Sequence, residues 1–220
     1  MKILFLILTL ILCLCMLSGC VIETAGDLSN TSSYESELPS SSQAVIIDTN
    51  SAVSVDELDI HSPLDLYFSS GVGAWCSHIS LNSDGTFIGN FHDSDMGDTA
   101  EAYPYGTRYF SEFSGNFTDL KKINDYTYSL TLETLITKQP DNTEYIEEGI
   151  RYIVTTPAGL ERGKEFILYT PEAPTNVMTD ELISCWPLRE QYSTEPLEKL
   201  WLYGLYNVET GAGFFTWPGE

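Results

Sequence analysis

Three side chains in one short stretch are of the types that bind borderline metals: Cys76, His78 and His92. If the segments carrying them pair as a hairpin, Cys76 stands opposite His92, and His78 lies one pair further along, diagonally within reach of His92. Zinc takes sulfur and imidazole nitrogen in a four-coordinate shell, which Asp93 or a water would complete. The competing reading is a polar face with no ligand. Just beyond, Asp93, Asp95 and Asp98 crowd around Gly97. Calcium needs several oxygens at once and often takes them from residues two apart. Gly97, however, comes one place earlier than the helix-loop-helix calcium pattern requires, and Pro104 stands where that pattern has a glutamate. A solvated turn is the alternative here. Asp95 with Glu101 is a carboxylate pair of the kind that cleaves glycosidic bonds, but 32 acidic residues bring carboxylates together by chance. The chain has no Gly-x-Ser-x-Gly elbow, His-Glu-x-x-His pair, phosphate-cradling glycine loop or dinucleotide fingerprint. Catalysis is therefore the least supported class, and zinc and calcium are the only cofactors that the residue types suggest.

The element that must position these groups is the hairpin over residues 75–92. Trp75, Ser77, Ile79 and Leu81 alternate with Cys76, His78, Ser80 and Asn82, and after Asp84-Gly85 a second alternation carries Phe87, Gly89 and Phe91. A two-residue Asp84-Gly85 loop would pair Leu81 with Ile88 and mix the faces. A three-residue Ser83-Asp84-Gly85 loop, with Gly85 left-handed, pairs Leu81 with Phe87, Ile79 with Gly89 and Ser77 with Phe91. The second register gives one apolar face and leaves Cys76, His78, Asn90 and His92 on the other.

The first 19 residues hold one charge, Lys2, and an apolar run from Ile3 to Met16. This is short for a membrane span and reads as a signal peptide. It ends in Leu17-Ser18-Gly19-Cys20, which resembles the lipobox of bacterial lipoproteins, where the cysteine is lipid-modified and becomes the mature N-terminus. The resemblance implies acylation (palmitate) at Cys20, with the lipid holding the protein to the extracytoplasmic face of the cell membrane. Loss of Lys2 with the signal takes the formal charge from −22 to −23. Such a surface excludes nucleic acid as a partner. Cys13 and Cys15 leave with the signal, so Cys76 and Cys185 remain, enough for one bridge in an oxidising compartment.

From Val21 to His61 the chain is dominated by Ser, Thr, Asn, Asp and Glu, with LSNTSSYESELPSSSQ its most biased piece. It reads as a tether. The organisation expected is a signal peptide at 1–19, a lipidated N-terminus and tether at 20–61, and a single β domain at 62–220. Ser62-Pro63-Leu64-Asp65 has the features of a helix start, and Gly71 would end that helix. Strands are expected over residues 109–117 and 126–133, over Ile150 to Thr155 and Glu165 to Thr170, and over Trp201 to Val208 and Gly213 to Trp217; Thr137 to Gly149 reads as a loop. Thr179 is placed to cap a short helix that Pro187 stops.

These strands suggest an antiparallel up-and-down meander with one or two short helices, closing into a barrel or strongly curled sheet to remove its edges. Gly73-Ala74-Trp75, after the expected helix and at the start of the hairpin, is similar to the Gly-x-Trp signature of lipocalins. Asn124-Asp125-Tyr126 is similar to their Thr-Asp-Tyr turn. The resemblance implies a lipocalin-like barrel whose interior binds small apolar ligands. The order of lipobox, tether and Asp-Gly-Thr-Phe hairpin also resembles lipoproteins of Gram-positive anaerobes to which no activity is attached.

The inward series is Trp75, Ile79, Leu81, Phe87, Phe91, Phe113, Phe117, Tyr126, Tyr128, Leu130 and Leu132, with Ser77, Gly89, Ser111 and Gly115 as small positions among the rings. Small positions can be filled by the rings or can leave a cavity, in which case Trp75, Phe87, Phe91, Phe113 and Tyr128 would line the ligand site. Three functions follow: a lipid-anchored domain binding a small apolar ligand, a cell-surface interaction or adhesion module with a filled core, and an enzyme of unrecognised type. An enclosed cavity favours the first, a filled core with an exposed apolar patch the second, and a cleft around a perturbed titratable group the third.

Overall fold

The computed structural model describes residues 52–70, 73–187, 189 and 197–217. The signal segment, Cys20 and the tether up to residue 51 lie outside the described residues. The chain forms strands β1 (Val53–Ser54), β2 (Leu64–Ser69), β3 (Cys76–Leu81), β4 (Thr86–Asp95), β5 (Thr107–Asn124), β6 (Thr127–Thr137), β7 (Glu144–Glu147), β8 (Ile150–Val154), β9 (Glu165–Tyr169), β10 (Gly204–Asn207) and β11 (Gly213–Phe215). A 3-10 turn at Thr175–Val177 and a short helix, α1 (Asp180–Cys185), lie between β9 and β10.

Strands β2, β3, β4, β5, β6, β9, β10 and β11 follow one another around a closed, eight-stranded antiparallel barrel, and the bridge between Phe215 and Tyr67 joins the last strand to the first. Closure removes the edges that an open meander would leave to water. The hairpin has the register that leaves one face apolar: Leu81 pairs with Phe87, Ile79 with Gly89 and Ser77 with Phe91. Gly85, at a φ of 87°, supplies the left-handed residue of its turn.

Strand β5 is the longest element among the described residues and holds two neighbourhoods together. Its start lies between β4 and a parallel β8, its middle between the start of β4 and β6, and its end between β1 and β6. The register between β5 and β6 shifts three times from Asn116 onward, and such bulges bend a strand around a barrel.

Several expectations are corrected. The helix at 62–71 is strand β2: Leu64 and Leu66 are buried in alternation with Asp65 and Tyr67, and all six residues pair with β3. A cap-like Ser-Pro start is a local signal, and a partner strand with a matching apolar face outweighs it. The loop over 137–149 contains β7, turned back onto β8 by Glu148 and Gly149, both with positive φ. Residues 53–60, compositionally part of the tether, lie on the barrel. Here β1 pairs with Lys121 and Lys122 of β5, and Leu58 is buried beneath a bond from its N–H to the carbonyl of Ser83. Tyr126 is not inward but 38% exposed, because it sits in the turn before β6.

Helix α1 forms where expected, with the Thr179 hydroxyl accepting from the Leu182 N–H at 3.1 Å. Two hydrophobic clusters result. One lies inside the barrel. The other lies outside β9, β10 and β11, where Ile167, Tyr169, Tyr206 and Phe215 pack beneath Leu182, Trp186, Leu200 and Leu202.

Candidate functional site

The expected ligand site is the barrel interior. Phe87, Phe91, Phe113 and Tyr128 are all buried there, in one continuous cluster with Leu66, Ile79, Leu81, Phe117, Phe166, Leu205 and Phe214. Phe117 stacks in a tilted pair on Phe87 at 5.0 Å and edge-on to Phe166 at 5.1 Å. The small positions are used by the rings. A Cβ on Gly89 would fall on the ring of Phe113, and one on Gly115 on the ring of Phe87. Large and small residues paired across β4 and β5 therefore interdigitate, as in a close-packed core. Trp75 is apart from this cluster: it is half-buried at one end of the barrel, edge-on to Phe68 at 4.8 Å. Its Gly73-Ala74-Trp75 segment precedes the second barrel strand, and the element before it is a strand, not a short helix.

That end of the barrel is closed by the 157–163 loop. The Ser77 hydroxyl donates to the Ala158 carbonyl at 2.7 Å, and the Asn207 amide donates to the carbonyls of Gly159 at 2.9 Å and Arg162 at 2.6 Å. Leu160 is buried beneath the loop. Next to Phe91 on the inner face, the Ser111 hydroxyl is buried without a hydrogen-bond partner.

The outer face of the hairpin has the predicted pairs, Cys76 with His92 and His78 with Asn90. The metal set does not assemble from them. His78 Nε2 lies 2.8 Å from Asp65 Oδ1 on β2, its Nδ1 lies 3.3 Å from the Asn90 amide, and the Tyr67 ring stacks on it at 4.7 Å. Burial raises the Cys76 thiol above its usual range, which disfavours the thiolate a metal would need.

The acidic loop is likewise occupied with its own structure. Asp93 Oδ1 accepts from the Ser94 N–H at 2.7 Å, and Asp95 Oδ1 from the N–H groups of Gly97 at 2.8 Å and Asp98 at 3.2 Å. Asp98 is paired with Arg151. Among the described residues no three His, Cys, Asp or Glu side chains come together in a way that could hold a metal ion. Cys76 and Cys185 are both free thiols.

Two outer surfaces have features that the sequence reading did not single out. The first is a shallow groove of about 850 Å³ across β3 to β6. Cross-strand pairing sets Ser80, Ile88, Ser114 and Ile136 in one row, and His78, Asn90 and Glu112 in the next. Ile88 is 66% and Ile136 63% exposed. The polar groups around them have partners: Lys138 Nζ is 2.8 Å from Glu112 Oε2, and His78 is bonded to Asp65. The available signal was phase, since Ile88 stands at an outward position between the inward Phe87 and Gly89.

The second is the β7–β8 hairpin, which Arg151 fastens to the acidic loop. Its guanidinium pairs with Asp98, donates to Thr107 Oγ1 at 3.1 Å, and lies 4.5 Å over the Tyr103 ring. On the hairpin's other face Tyr145 stacks on Tyr152, and both meet Phe110 edge-on. Desolvation there, reinforced by the Glu147 carboxylate, pushes the Tyr145 hydroxyl above its ordinary range.

Compared with known protein families, curated proteins and solved structures, the chain matches none.

Proposed function

We propose that this protein is a non-catalytic interaction module, held to the extracytoplasmic face of the cell membrane by a lipid on Cys20, and that it binds its partner with the outside of its barrel. The observation that carries the reading is the contrast between an interior where the rings of Phe113 and Phe87 occupy the space beside Gly89 and Gly115, and an outer face that leaves Ile88 and Ile136 bare. The apolar run ending in Leu17-Ser18-Gly19-Cys20 supports the anchor.

A small apolar ligand inside the barrel is the second reading. One observation favours it: the unpartnered Ser111 hydroxyl beside Phe91 on the inner face, which would gain a bond from a ligand that reached it. A fluorescent hydrophobic probe titrated into the full chain separates the two. The interaction-module reading expects no saturable signal, and a saturable signal displaced by lipids would overturn it. For the anchor, mass spectrometry of the cell-associated protein should find an acyl group on Cys20, and Cys20→Ala should accumulate as unprocessed precursor. A mature protein without acyl modification would sink that part.

A further inference from the structure

Strand β7 ends the strand order, so its outer edge is unpaired among the described residues. Such an edge is either guarded or used to receive another strand. Its hydrogen-bond phase follows from the open end of the hairpin, where the Val154 N–H donates to the Thr143 carbonyl at 2.9 Å. Bonded pairs alternate along an antiparallel ladder, so the backbone of Tyr145 and Glu147 turns toward β8, and that of Glu144 and Ile146 turns outward. All four residues of β7 are exposed.

The tyrosine stack points the same way. The Tyr145 and Tyr152 rings lie 5.0 Å apart at 9°, close to the strand spacing of about 4.8 Å. The stack therefore runs along the strand order, and the free face of Tyr145, a residue 39% exposed, looks toward the place a further strand would fill. Glu147 is on the same side of β7, and Glu148 follows in the turn. An aromatic face beside carboxylates attracts a lysine or arginine.

The same charges weigh against self-pairing. Two copies of β7 about a two-fold axis would pair through the outward backbone of Glu144 and Ile146. Centred on Glu144 or on Ile146, this sets Glu144 against its own copy or against Glu148, like charges directly opposite. The register that sets Glu144 against Ile146 still joins two chains of formal charge −22. We propose that β7 receives an extended basic segment of a partner protein as an added strand, bonded through the backbone of Glu144 and Ile146, with a lysine or arginine of that segment over Tyr145. This site is separate from the Ile88 and Ile136 face and goes beyond the reading given for it.

The test is residue-resolved hydrogen exchange on the full chain with a synthetic peptide of alternating lysine and valine, and with its glutamate counterpart as control. The amides of Glu144 and Ile146 should slow with the lysine peptide alone, and the effect should shrink as salt is raised. Tyr145→Ala should weaken binding about threefold. Glu147→Lys combined with Glu148→Lys should move the preference to the glutamate peptide without changing the thermal midpoint. Absence of protection by the lysine peptide overturns the proposal, as does equal protection by both peptides. Protection that grows with protein concentration in the absence of peptide also overturns it, and assigns the edge to a second copy.

Discussion

The barrel has two outer faces built by the same alternation and treated in opposite ways. Over β9, β10 and β11 the outward residues Ile167, Tyr169, Tyr206 and Phe215 are between 1% and 5% exposed, because α1, Trp186 and Leu200 lie over them. Across β4, β5 and β6 the outward Ile88 and Ile136 are more than 60% exposed. Burying an isoleucine stabilises by about 1.5–3 kcal/mol, so the covered face adds a second core to the barrel and the bare face forgoes one. A single exposed apolar residue calls for no explanation. Two of them flanking Ser114, with Glu112 paired to Lys138 and Asp65 bonded to His78, make an apolar surface on an otherwise strongly acidic chain. In the proposed function it is this surface that meets the partner.

The comparison can be broken most sharply at Trp186, which is 5% exposed and tilted against Trp201 at 5.9 Å. Trp186→Ala should cost about 3–5 kcal/mol in denaturant unfolding. A loss no larger than that of a surface substitution would mean that the outer cluster is not a core.

Next comes alkaline pH. Burial, and secondly Tyr206, push the Tyr169 hydroxyl up to about 12 from 10.0. A raised folded value means the native state keeps its proton longer than the unfolded chain. Stability is therefore undiminished below about pH 10, falls by about 2–3 kcal/mol as pH rises toward 12, and falls no further through this group. In Tyr169→Phe that fall should be absent; an identical alkaline profile in the variant speaks against a buried Tyr169.

A smaller effect is expected at the cap of the covering helix. Thr179→Ala should lower stability by about 1 kcal/mol, read as a shift in the denaturant midpoint, through loss of the bond to the Leu182 N–H. The smallest is on the bare face, where Ile88→Ser with Ile136→Ser should change stability by no more than about 0.5 kcal/mol. A large loss in that double variant would show that the isoleucines serve the fold rather than a partner.

By itself the sequence determined the strand-rich class, the hairpin register and helix α1. Each rests on an argument between near neighbours: a one-residue slip would expose Leu81 and Phe87, Gly85 can take the left-handed turn, and Thr179 and Pro187 bracket one short amphipathic run. What lay farther apart along the chain was decided only by the tertiary structure. Leu64, Leu66 and Phe68 have strand spacing, yet the Ser62-Pro63 start resembles a helix cap, and it is β3 that makes the segment a strand. Nothing local marks Glu144–Glu147 as β7, because the signal for a four-residue strand is the β8 it pairs with.

The candidate site divides in the same way. Cys76, His78 and His92 reach the predicted register, but Asp65, thirteen residues upstream of His78 and on another strand, takes the imidazole. Whether Gly89 and Gly115 leave a cavity or admit a ring depends on the volumes of side chains contributed by every strand of the barrel, and the rings of Phe113 and Phe87 fill the space. Alternation along a strand states which side chains face inward. Packing among strands distant in sequence states whether anything is left for a ligand between them.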